Sequence, residues 1–280
     1  MLDCPQGRQA QRQPLHVNLE GREFRGAALA TQAPNPGGDP AQSVRTENAT
    51  GDVKLCLLDG FQLTRSGHPL LVSPTGQRLL AFLALSERAV SRVYVAGTLW
   101  PDMPEERSSA NLRSTLWRLP RPSPPLVEAS PQSLRLGQSV EVDVHEALDA
   151  ARRALHGQGT DEEETIDACR FGDLLSDWYD DWILVERERL RQLRLHALEV
   201  ICERLTGAGK FGQAVDAGLA AVSTEPLRES AQRVLIKVHL AEGNQVQALR
   251  QYQSYRRQLR NELGLEPSEQ MEQLVRHLRT

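Results

Sequence analysis

Apolar and polar positions first fall into a regular order at Val53, where Val53, Leu55 and Leu57 alternate with Lys54 and Cys56. With Gly60 and the Ser66-Gly67 pair as punctuation, this period of two predicts a small antiparallel sheet. Ser73-Pro74 then supplies an N-cap and a proline at the first helical position, ahead of Leu79, Leu80, Phe82, Leu83 and Leu85. Ser91 caps a second, short helix whose apolar residues Val93, Ala96, Leu99 and Trp100 run at helical spacing until Pro101 stops it. A third helix opens near Pro104, with Glu105 and Glu106 in the first turn where the helix dipole favours acids, and closes by Pro120. Its Leu112, Leu116 and Leu119 make a core stripe, while Asn111, Ser114 and Arg118 share another face. Leu126-Val127-Glu128 and Leu134-Arg135-Leu136 flank a Ser130-Pro131-Gln132-Ser133 turn, and Val140, Val142 and Val144 alternate with acids, so a hairpin is expected to close this unit.

Beyond residue 145 the chain lacks convincing strands and carries a repeat instead. Ala197 and Ala231, Gly209 and Gly243, and Ala214 and Ala248 are each 34 positions apart, the period of tetratricopeptide helix pairs. Small residues let paired helices approach, the glycines break the turns, and Pro226 and Pro267 are expected to stop the second helix of each pair. Two repeats are marginal alone, so helices near 145–157 and 182–206 are expected to cap the stack. The predicted fold is mainly α: an α+β winged helix-turn-helix over residues 53–144, followed by an all-α tetratricopeptide-like domain over 145–280. Residues 1–52, rich in Gln, Arg, Pro, Gly and Asn, show neither period and are expected to form a flexible leader.

The net charge of −4 conceals a division along the chain. Residues 53–144 carry 10 basic and 8 acidic side chains, and residues 145–280 carry 18 and 23. From Arg107 to Arg121 there are four arginines and no acid. Only three lysines occur, so positive charge sits on guanidinium groups, which grip phosphate or guanine through paired hydrogen bonds. GC-rich coding is the favoured cause of the arginine bias, without altering that consequence.

A helix fits the major groove of DNA and a projecting hairpin reaches the adjacent backbone, so the third helix is the candidate reader. Asn pairs with adenine and Arg with guanine, which nominates Asn111, Arg113, Ser114 and Arg118 for base contacts. Arg107, Arg121 and the turn residues Gln132 and Ser133 are assigned to phosphate. Trp117, at i+4 from Arg113, is expected to pack, as aromatics at helical spacing usually do. Asp177, Asp180 and Asp181 stand at a helix start, where acids cap better than they catalyse. The four cysteines and seven histidines are scattered, and no nucleophile elbow, phosphate loop or HExxH motif occurs. Neither an enzyme nor any cofactor or metal is expected. With no signal-like or membrane-spanning apolar run, the expected location is cytoplasmic, at the nucleoid.

Leu99-Trp100-Pro101-Asp102, together with Asn111-Leu112-Arg113-Ser114-Thr115-Leu116-Trp117-Arg118-Leu119, closely resembles the OmpR-type winged helix of the Streptomyces antibiotic regulatory protein family. Asp177-Trp178-Tyr179-Asp180-Asp181-Trp182 leading into Glu186-Arg187-Glu188-Arg189-Leu190, and Glu262-Leu263-Gly264-Leu265-Glu266-Pro267, resemble that family's bacterial transcriptional activation domain. The resemblance covers residues 53–280. It implies a homodimer on tandem direct repeats of promoter DNA, contacts with RNA polymerase holoenzyme, and activation of a biosynthetic, secondary-metabolite gene cluster. Pro120 departs from the family, whose recognition helix often continues with basic residues, and should end the helix before Arg121. The absence of GxxxxGK[ST] implies a small, stand-alone member without the ATPase module of larger relatives. Two other readings fit the residues: a non-catalytic helical-repeat scaffold, and a repressor using the same DNA contacts.

Overall fold

The computed structural model describes residues 53–157, 166–167 and 169–278; the leader expected over residues 1–52 lies outside them. Strand β1 (Val53–Cys56) pairs antiparallel with β2 (Gln62–Arg65), and β2 with β3 (His68–Pro69). Leu55 stands opposite Leu63, and the alternation buries Val53, Leu55, Leu57 and Leu63. The two-residue β2–β3 turn places both Ser66 and Gly67 at positive φ, 47° and 78°.

Helix α1 (Pro74–Leu85) starts as its sequence predicts, with the Ser73 hydroxyl accepting from the Gly76 N–H at 3.3 Å. Helix α2 (Arg92–Leu99) is capped in the same way by Ser91, and α3 (Glu105–Arg118) follows. Val93, expected in the core stripe of α2, faces solvent; Val95, Ala96 and Leu99 fill that role. A second sheet has the order β4-β6-β5, built from β4 (Val90–Ser91), β5 (Val127–Ala129) and β6 (Ser133–Leu136).

Strand β7 (Val140–Val142) does not extend that hairpin. It crosses to the first sheet and runs parallel to β1, with Leu55 opposite Val142. Val144, expected in the strand, lies in α4 (Asp143–Leu155). The physical reason is Asp143, whose carboxylate accepts from the backbone N–H groups of Leu57 at 3.0 Å, Leu58 at 3.1 Å and Val144 at 2.8 Å. One acid thus satisfies the end of β1 and the opening turn of α4 together.

The remaining elements are α5 (Asp181–Gly207), α6 (Phe211–Thr224), α7 (Glu229–Ala241), α8 (Gln245–Leu263) and α9 (Glu269–Val275), then a 3₁₀ turn over Arg276–Leu278. The 34-residue period is structural. Ala197, Ala214, Ala231 and Ala248 are fully buried, and Gly209 and Gly243 adopt φ of 73° and 88° between paired helices. At one end α4 packs Ala151 and Ala154 into a cluster with Leu195 and Leu198 of α5; at the other, Met271 and Val275 of α9 join Ile236 and Tyr252. Pro267 does not stop α8. Gly264, at φ 67°, ends that helix with its N–H on the Arg260 carbonyl at 3.0 Å, and Pro267 is buried ahead of α9.

The segment before α5 forms a strap onto the first sheet. The Leu175 N–H donates to the Leu57 carbonyl and the Asp59 N–H to the Asp173 carbonyl, both at 2.9 Å, around an antiparallel bridge between Leu58 and Leu174. Among the described residues beyond 145 this bridge is isolated and no strand forms, in keeping with the expected lack of convincing strands there. Phe61 stacks on Trp178 with centroids 6.3 Å apart, and Phe82 meets Trp182 edge-on at 5.2 Å. Arg187 ties the strap down, donating to the carbonyls of Leu174 (2.8 Å), Leu175 (2.5 Å) and Trp178 (2.9 Å). Asp180 occupies the N-cap position of α5, yet its carboxylate pairs with Arg78 and makes no capping bond. Leu174, Leu175, Ile183 and Leu190 consequently belong to one hydrophobic cluster with Leu57, Leu79 and Leu83.

Candidate nucleic-acid interface

Helix α3 packs on α1 and α2 through Ser108, Leu112 and Thr115, continued by Leu119 just past its end, a buried stripe spaced 4, 3, 4. The two polar members are satisfied locally: the Ser108 hydroxyl donates to the Glu105 carbonyl at 3.0 Å and Thr115 to Asn111 at 2.8 Å. Leu116, expected in the stripe, is half-buried at its flank.

The opposite side is where the candidate residues gather. Arg107, Arg113, Ser114 and Arg118 are exposed on α3. Arg107, Arg113 and Arg118 make no ion pair or side-chain hydrogen bond with any of the described residues. Many arginines elsewhere are engaged, such as Arg135 with Glu128 at 2.6 Å, Arg152 with Glu87 at 2.5 Å and Arg228 with Glu199 at 2.8 Å, while Arg88, Arg250 and Arg257 are open singly. The guanidinium groups of α3 therefore keep their donors open on a surface without a neighbouring acid from residue 107 to 121. Asn111, one position before the buried Leu112, sits at the edge of the face. It is half-buried, and its amide nitrogen lies 3.1 Å from the Met103 sulfur.

Arg121 lies beyond the helix, as Pro120 implied, and its guanidinium donates to the Trp117 carbonyl at 3.3 Å, satisfying one of the last free carbonyls of α3. Trp117 itself does not pack. It is 72% exposed, which overturns the expectation that it belongs to the core.

The wing residues are brought to a separate, well-anchored turn. The Ser130 hydroxyl accepts from the N–H groups of Ser133 at 2.9 Å and Gln132 at 3.3 Å, and Arg92 at the start of α2 clasps the turn through the Gln132 carbonyl (2.9 Å) and the Ser130 carbonyl (2.8 Å). Glu128 and Arg135, directly opposite in the hairpin register, form the cross-strand ion pair. Gln132 is exposed at the tip; Ser133 is half-buried with its hydroxyl 2.9 Å from that of Ser130. Arg92, which pins the wing to the helices, was not singled out in the sequence because its role depends on two carbonyls about forty positions away.

Among the described residues no three His, Cys, Asp or Glu side chains converge on a metal site, and no helix is long and apolar enough to cross a membrane. Residues 140–279, half of the chain, match the bacterial transcriptional activator domain family. Regulatory protein AfsR of Streptomyces coelicolor is 28% identical over 247 residues, an alignment covering 83% of this chain and 25% of AfsR. The structure of Mycobacterium tuberculosis EmbR, in complex with a low-affinity phosphopeptide, is similar with a TM-score of 0.61 at 21% identity, over 81% of this chain and 65% of that one. That likeness is one of fold. The chain spans a quarter of the length of the curated relative. With a winged helix-turn-helix ahead of a matching activator domain, the protein belongs to the bacterial transcriptional activator domain family.

Proposed function

We propose that the chain is a sequence-specific DNA-binding activator. Residues 53–144 bind tandem direct repeats of promoter DNA, and residues 145–280 pair two protomers there and contact RNA polymerase holoenzyme at a biosynthetic gene cluster. The observation that carries this reading is the outward face of α3, where Arg107, Arg113 and Arg118 hold open guanidinium donors with no ionic partner among the described residues. Arg113, Arg118, Ser114 and Asn111 meet base edges in the major groove. Arg107, Arg121, Gln132 and Ser133 meet phosphate and set register.

Removing a bidentate arginine contact costs about 1–3 kcal/mol in specific binding, so Arg113→Ala and Arg118→Ala should each lower specific affinity by about five-fold or more. Arg107→Ala should weaken binding to all sequences alike and reduce the salt dependence by about one unit of slope. The decisive experiment is genome-wide chromatin capture of the tagged protein beside the Arg113→Ala/Arg118→Ala double variant, with transcripts measured at the enriched sites. Direct-repeat peaks that vanish in the variant together with transcription support the activator. Peaks that vanish while transcription rises identify a repressor, and no enrichment for either protein favours a helical-repeat scaffold.

A further inference from the structure

The buried stripe of α3 recurs as a second stripe of the same 4, 3, 4 spacing, displaced by two residues: Glu106, Ala110, Arg113 and Trp117, all exposed. Two residues correspond to about 200° of helix rotation, so this second stripe lies opposite the core. Trp117 is thus the bulkiest side chain on the outermost line of the helix, and its ring touches no other aromatic among the described residues. A single exposed apolar side chain is ordinary on a protein surface, so the exposure of Trp117 takes its meaning from its neighbours.

The surroundings decide what covers it. Arg113 stands one turn before Trp117, Arg118 beside it, and the Arg121 guanidinium is held at its carbonyl. A protein surface docking here would need a strongly acidic rim, whereas DNA supplies phosphates on both sides of a groove whose floor carries one apolar group, the 5-methyl of thymine. We propose that Trp117 is a specificity-determining residue of the α3 face, its indole packing on a thymine methyl in the major groove between arginine-contacted positions. This deepens the DNA-binding reading above and rests on it.

The test uses the full chain and a duplex obtained by selection from random DNA with the wild-type protein. Affinities are measured by fluorescence anisotropy for the selected duplex, for copies with deoxyuridine at each thymine in turn, and for a scrambled duplex. Because Trp117 is exposed, Trp117→Ala should keep the wild-type melting temperature. It should bind the selected duplex about ten-fold more weakly, bind scrambled DNA nearly as the wild type does, and be restored in part by Trp117→Phe. At one position deoxyuridine should weaken the wild type by about four-fold, the effect of one buried methyl, and leave Trp117→Ala unchanged. Selection that enriches a duplex which Trp117→Ala binds as tightly as the wild type overturns this inference and leaves the DNA-binding reading intact. So does an equal loss on selected and scrambled DNA. Failure of the wild-type chain to enrich any duplex overturns both.

Discussion

Cys169 and Cys202 are buried between helices, and that burial pushes their thiols up to about 11 and about 12 from an ordinary 9.0. A folded value above the unfolded one means that the neutral thiol is the form the native state prefers. The resulting stabilisation is complete below about pH 9 and is lost as pH rises through about 11 to 12. The melting temperature should accordingly decline on the alkaline side of pH 9. Iodoacetamide at pH 8 should leave peptides bearing Cys169 and Cys202 unmodified in the folded chain and label both in urea, read by mass spectrometry; comparable labelling in the two states would contradict the burial. At this scale the sequence was legible where a side chain acts on its own helix, as with the Ser73 and Ser91 caps. It was illegible where the partner is distant. Asp143 serves amides 86 positions away, and nothing next to it marks that role. Trp117 is an intermediate case: the aromatic default pointed to the core, while the spacing of Ser108, Leu112, Thr115 and Leu119 already put position 117 on the far side.

Helix ends in the repeat are set by backbone conformation. Gly209 and Gly243 sit at positive φ in turns with open space where a Cβ would project, so conformation and not collision resists substitution. Gly209→Ala and Gly243→Ala should each destabilise by about 1–2 kcal/mol. Gly212, in the first turn of α6 with nothing near a built Cβ, is helical; Gly212→Ala should stabilise by about 0.5 kcal/mol. Urea denaturation of the three variants checks both signs. The repeat was readable because its period places small residues at contacts and glycines at turns, both local demands. The strap at 173–178 was not. Leu174 and Leu175 follow neither a helical nor a strand period in their own neighbourhood, since they fill a core begun 117 positions earlier by Leu57 and Leu58. Strand β7 misled for the same reason, its alternation being correct and its partner sheet unforeseeable.

For the molecule as a whole, the hydrophobic cluster shared by β1, α1, the strap and α5 couples the winged helix to the helical repeat. Cooperative units follow continuous cores, so calorimetry should show one main transition for the winged helix and α5 together, not two. A fragment ending at residue 144 would expose surfaces of Phe61 and Phe82 that Trp178 and Trp182 cover. It should bind hydrophobic dye and aggregate, whereas resolved double transitions in the full chain would refute the coupling. The same arrangement bears on how the protein is made. Strand β1 receives its parallel partner β7 only after residue 142 has been synthesised, and the 57–59 end receives Asp173 and Leu175 later still. At about 5–20 residues per second, β1 waits several seconds or longer for its last neighbours. Among the described strands, nascent β1 is therefore the one that a ribosome-bound chaperone has the most time to hold.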